Sequence, residues 1–133
     1  MKLSQKDIPS EVKEFLTKNI DSIGKLEILI FLATHQGKTW TSHEINQELR
    51  GNDLSTEKQL SQLVALKVVA AKPTSPVSYI YDASPSDHVV IEKLMAAYGT
   101  FRTRVITLIY EKPSEALKTF ADAFKFRKDP EDG

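Results

Sequence analysis

The sequence predicts a mainly α fold carrying one small β-hairpin, and three observations predict it. Apolar residues recur at helical spacing over most of the chain. Two helix starts are spelled out in full, a capping box at Thr41-Ser42-His43-Glu44 and the pair Ser84-Pro85. One pair of β-branched or aromatic runs, residues 68–72 and 77–81, flanks Pro73-Thr74-Ser75-Pro76, a four-residue hairpin tip where proline removes no ladder hydrogen bond.

Each element follows from local pattern. Pro9 or Ser10 opens a short amphipathic helix through Val12, Phe15 and Leu16. A second helix begins after Asp21-Ser22 with Ile23, Leu26, Leu29, Ile30 and Ala33, and Ile28, Phe31 and Leu32 widen its apolar stripe. A helix apolar around most of its circumference belongs at the centre of a core. It should stop near His35-Gln36-Gly37, where Gly37 suits a left-handed position. The capped helix packs through Ile45 and Leu49 and ends at Arg50-Gly51-Asn52-Asp53. After Leu54-Ser55-Thr56 another helix follows, with Leu60, Leu63, Val64 and Lys67 at i, i+3, i+4, i+7. From Ser84 a helix is predicted to run unbroken to about Glu111. Ile91, Leu94, Tyr98, Phe101, Val105 and Leu108 stand 3-4-3-4-3 apart along it, a heptad seam. Pro113 ends it and opens a last helix with Leu117, Phe120, Ala121 and Phe124 on one face. The predicted organisation is an N-terminal helix (1–20), a hairpin-bearing helical domain (21–83), a C-terminal helical extension (84–126) and a charged tail (127–133).

Composition narrows the function classes. At 133 residues the chain fits one domain, and 41% hydrophobic with 27% charged residues is too apolar for a disordered protein. No apolar stretch approaches a membrane span, and the start Met-Lys-Leu-Ser-Gln-Lys shows no signal-peptide core. Zero cysteines exclude disulfides, thiolate metal sites and cysteine nucleophiles, and suit a cytoplasmic protein. The 18 basic and 18 acidic side chains cancel, so any nucleic-acid binding must use a local patch.

Helix, short capped helix, glycine-containing turn, helix, hairpin is the order of a winged helix-turn-helix. On that order, residues 21–82 resemble the winged-helix domains of small bacterial transcription regulators of the MarR and PadR type, and the resemblance implies that Lys38-Thr39-Trp40 is the one short strand before the second helix. Residues 104–110, Lys112-Pro113, residues 120–124 and residues 126–129 look like a family of small bacterial winged-helix proteins, most of them called hypothetical. The resemblance implies the fold and a bacterial cytoplasmic origin.

In a helix-turn-helix the second helix lies in the major groove. With Leu60, Leu63 and Val64 inward, a 100° step puts Ser55, Lys58, Gln59 and Gln62 outward. Gln pairs with adenine, Lys with guanine and Ser with either, while Thr56 near the helix start suits a phosphate. Lys72, Thr74 and Ser75 would let the hairpin touch the neighbouring backbone. The bland alternative is a solvated helix face, and Asp53 and Glu57 would repel phosphate. Double-stranded DNA is thus the expected partner, with a protein partner for a winged helix used as an interaction module as the alternative. The heptad seam likewise has two uses, packing across the chain's own domain or pairing two chains into a homodimer. Arg102, Arg104, Lys118, Lys125, Arg127 and Lys128 make the C-terminal third locally basic.

Enzyme chemistry finds no foothold. His35, His43 and His88 are scattered, with no metal-ligand spacing among them. The five glycines stand singly, so no phosphate loop exists, and no serine sits in a nucleophile elbow. His35 at a helix C-terminus suits the dipole, and Trp40 suits a seam between hairpin and helices. No catalytic residue, metal or cofactor is expected.

Overall fold

The computed structural model describes residues 8–111. The expected last helix after Pro113, the charged tail, and Lys118, Lys125, Arg127 and Lys128 lie outside the described residues.

Helix α1 (Ser10–Asn19) starts behind Pro9 and buries Val12 and Leu16. Helix α2 (Ile23–Thr34) is capped by Ser22, whose Oγ accepts the Lys25 N–H at 3.1 Å. It buries Leu26, Ile28, Leu29, Leu32 and Ala33, as expected of a central helix. Behind it Gly37 turns the chain with φ +86°, a conformation that favours glycine. Strand β1 (Trp40–Thr41) leads directly into α3 (Ser42–Leu49), and α4 (Asp53–Ala65) follows across a three-residue turn. Strands β2 (Val69–Lys72) and β3 (Ser78–Tyr81) form the hairpin, with Val69 opposite Tyr81 and Lys72 opposite Ser78. Strand β1 adds antiparallel to β3, Trp40 opposite Tyr79, so the sheet order is β1-β3-β2. Helices α5 (Pro85–Thr100) and α6 (Arg102–Glu111) complete the described chain. This is a winged helix.

Two expectations are corrected. The unbroken helix from Ser84 to Glu111 divides at Phe101, whose φ of −122° and ψ of 47° are not helical. Gly99 and Thr100, both poor helix formers, precede the break. Glu27 of α2 holds both sides of it, accepting from the Tyr98 hydroxyl at 3.4 Å and pairing with Arg102 at 3.7 Å.

Of the two uses open to the heptad seam, packing within the chain's own domain is the one seen in this chain. Ile91, Leu94 and Val105 are fully buried, and Tyr98, Phe101 and Leu108 pack half-buried against the same core. Helix α1 lies against both α5 and α6, and Lys93 of α5 pairs with Glu11 of α1 at 2.7 Å. A stripe spaced for a coiled coil is equally spaced for one helix closing over its own core, and the division at Phe101 interrupts the coiled coil. A Cβ added at Gly99 would meet no atom of another element within 4 Å, so no helix among the described residues crosses closely there.

Finally, Lys67 does not continue the stripe of α4. The helix stops at Ala65 and Lys67 turns left-handed with φ 65°. Val68 N–H bonds the Leu63 carbonyl at 3.3 Å and Lys67 N–H the Val64 carbonyl at 2.9 Å, a Schellman ending with lysine where glycine is usual. Buried Leu63 and Val68 supply the apolar contact that accompanies it.

Candidate nucleic-acid interface

The turn between α3 and α4 is built from short polar contacts. Thr41 and Glu44 form the expected capping box, Thr41 Oγ1 accepting from Glu44 N–H at 3.1 Å and Glu44 Oε1 from Thr41 N–H at 2.9 Å. Asn46 then ties the two helices together. Its Nδ2 donates to Asp53 at 2.7 Å, its Oδ1 accepts from Thr56 Oγ1 at 3.4 Å, and its carbonyl accepts from Gly51 N–H at 3.2 Å. A Cβ on Gly51 would lie 3.0 Å from Asn46 Oδ1, so glycine keeps the turn this tight. Asn52 caps α4 through the Ser55 N–H at 3.1 Å.

These anchors divide α4 into four sides. Thr56, Leu60 and Leu63 face the core. Asp53 and Glu57 turn toward α3, Asp53 on Asn46 and Glu57 accepting from Ser42 Oγ at 3.3 Å. Glu57 also lies close enough to Tyr79 of β3 to help raise its hydroxyl pKa, after burial, which is the larger cause. On the opposite flank Gln59 donates to Ser22 Oγ at 3.2 Å and covers Gly24, where an added Cβ would stand 2.9 Å from Gln59 Nε2. The remaining side presents Leu54, Ser55, Lys58 and Ser61, all exposed, with half-buried Gln62.

Ser55, Lys58, Gln59 and Gln62 thus come together, and with Asp21 and Ser22 they line one cleft of about 250 Å³ beside the start of α2. A neighbouring cleft of about 320 Å³ shares Asp21 and Gln62 and adds Lys18 and Lys25. Asp21 is held by Lys25 at 3.1 Å, an ion pair whose lysine is buried. Thr56 is not among the outward residues: it is 4% exposed and spends its hydroxyl on Asn46. The hairpin residues stand outside this cleft. Lys72 and Ser75 are exposed, while Thr74 Oγ1 ties the tip through Pro76 O at 2.8 Å and Ser78 Oγ at 2.9 Å. Leu54 and Ser61 escaped the sequence reading, although the same 100° step places them outward. The missing signal was the cap: once Asn52 is the N-cap, Leu54 belongs to the first turn of α4.

Two side-chain clusters brace the sheet. Trp40 packs edge-on to Phe31 at 4.7 Å, with His35 at 5.4 Å and Lys38 Nζ 4.0 Å above its ring, the seam expected of it. His35 Nδ1–H donates to the Phe31 carbonyl at 2.7 Å at the end of α2. On β3, the Tyr81 hydroxyl lies 2.7 Å from His88 Nδ1, and His88 Nε2 lies 3.2 Å from Glu92. This chain of contacts joins β3 to α5. Burial, then Glu92 and Asp87, push the Tyr81 pKa up to about 12. Among the described residues no three His, Asp or Glu converge on a metal-sized space.

Solved structures share this fold. Sco5413, a MarR family transcriptional regulator from Streptomyces coelicolor, matches with TM-score 0.53 and 18% identity over 98% of this chain and 90% of that one. MarR from E. coli in its apo form gives 0.51 and 12% over 94% and 88%. A Staphylococcus aureus MepR–DNA complex gives 0.50 and 14% over 90% and 89%. No protein-family model and no curated protein matches the sequence.

Proposed function

We propose that this winged helix is a DNA-binding transcription regulator that lays α4 in the major groove and acts as a homodimer. The observation that carries the reading is the division of labour on α4. Its two carboxylates are drawn toward α3 by Asn46 and Ser42, leaving Ser55, Lys58 and Gln62 together on the outward side. The phosphate repulsion that the sequence suggested is thereby moved to the flank. MepR, one of the proteins of like fold, has been solved bound to DNA. Nothing in this role requires a catalytic group or cofactor. Among the described residues no helix is long and apolar enough to cross a membrane.

With 18 basic and 18 acidic residues a single chain has little electrostatic hold on phosphate, so two copies on a pair of half-sites support useful affinity. Because Ile91, Leu94 and Val105 are consumed internally, the second copy would meet residues still exposed on these helices, such as Val89 and Tyr110.

The test is selection from a random duplex pool followed by titration of the winner. Lys58→Glu combined with Gln62→Glu should abolish binding while the thermal transition stays put, since surface changes cost under about 0.5 kcal/mol. Light scattering should report twice the 15.0 kDa chain mass. Absence of saturable binding to any duplex at about 50 mM salt would reject DNA reading and favour a protein-interaction module.

A further inference from the structure

Leu54 is the most exposed large apolar side chain among the described residues, at 79%. It occupies the second position of α4, where helical propensity and capping make no demand for it: Asn52 supplies the cap, and Leu54 is not part of the packed core. Burying it in the core is excluded by direction. Thr56, Leu60 and Leu63 define the inward side, and Leu54 lies on the outward side one turn before Lys58. It is therefore an apolar group set among Ser55, Lys58, Ser61 and Gln62, on a side of the helix that packs against no other element among the described residues.

Resting on the DNA-reading function above, we propose that Leu54 reads thymine, by packing on the 5-methyl group at the major-groove edge of the base. Three points favour this occupant. The major groove offers one apolar group, the thymine methyl, and every other base-edge contact is a donor or acceptor. The N-terminal residues of a recognition helix are the ones that reach base edges, and Leu54 is in the first turn. Its neighbours Lys58 and Gln62 supply the polar readings that an apolar contact lacks, guanine for lysine and adenine for glutamine. Four residues of helix rise span about 6 Å, so the thymine should fall within about two base steps of the base read by Lys58.

The experiment uses the tightest duplex from the random pool. Each dT is replaced singly by dU, which deletes the methyl group and leaves pairing and the O4 acceptor intact. A dU in one half-site should weaken wild-type binding about fourfold, the factor carried by burial of one methyl-sized group, and replacement in both half-sites about fifteenfold. Leu54→Ala, present in both copies, should weaken binding to the dT duplex about fifteenfold and add nothing on the duplex with dU in both half-sites, the non-additivity of a direct contact. Its thermal transition should match wild type. Equal affinity for the dT and dU duplexes at every position would overturn the thymine assignment while leaving DNA reading intact. So would Leu54→Ala losing the same factor on both duplexes, or a winning half-site that contains no thymine. Failure of every duplex to bind would instead reject the reading on which the assignment rests.

Discussion

Asn46 does more for the geometry of this protein than its size suggests. One side chain meets Asp53 at 2.7 Å and Thr56 at 3.4 Å, so it sets the approach of α3 to α4 and disposes of a carboxylate as well. The sequence showed the turn by its composition, Arg50-Gly51-Asn52-Asp53, but the Asn46 contacts reach seven and ten residues ahead and leave no local signature. Thr56 was misplaced for the same reason: a hydroxyl one turn into a helix looks phosphate-ready until its buried partner is known. Tyr81 gives a residue-scale prediction. Its pKa in the fold is about 12 against an ordinary 10.0, so the folded chain keeps a proton that the unfolded chain releases. Its contribution to stability is complete below pH 10 and should decline as pH rises toward 12. Chemical denaturation across that interval should show the decline, and Tyr81→Phe should flatten it. A residual slope should persist, because the hydroxyls of Tyr79 and Tyr98 are also raised.

At the scale of elements, starts were more legible than stops. The caps at Ser22, Thr41 and Ser84 announce their helices because a single side chain satisfies a backbone donor three residues on. Stops depend on what the chain meets next. Glu27, which contacts both sides of the division between α5 and α6, stands 71 residues before Tyr98, a distance no periodicity reports. The two glycines near helix ends make opposite predictions. Gly37 has φ +86°, so Gly37→Ala should lower stability by about 1–2 kcal/mol. Gly99 lies inside α5 with open space where a Cβ would go, so Gly99→Ala should raise stability by about 0.5–1 kcal/mol. Thermal or denaturant unfolding of the two variants checks both signs, and a gain for Gly37→Ala would contradict the left-handed turn.

For the whole molecule, the buried seam decides what a mutation in it would report. Leu94 is fully buried between α5 and the rest of the core, so Leu94→Asp should abolish cooperative unfolding outright. Circular dichroism and light scattering separate the cases: a folded, monomeric Leu94→Asp would return the seam to an interface between chains. The order of elements from α2 through β3 was legible because caps, glycine turns and a proline-flanked hairpin are local devices. Which face of the long helices meets which partner was not, since one apolar stripe serves either an inner or an outer neighbour. The same whole-molecule arrangement has a historical consequence. Among the described residues the side chains of Ser55, Lys58, Ser61 and Gln62 make no hydrogen bond or ion pair to α3, whereas Asn46, Asn52, Thr56 and Leu60 hold the turn and the core. On the DNA-reading function proposed above, a lineage built on this scaffold can therefore rewrite its vocabulary of recognised sites letter by letter, with no ancestor along the way obliged to unfold.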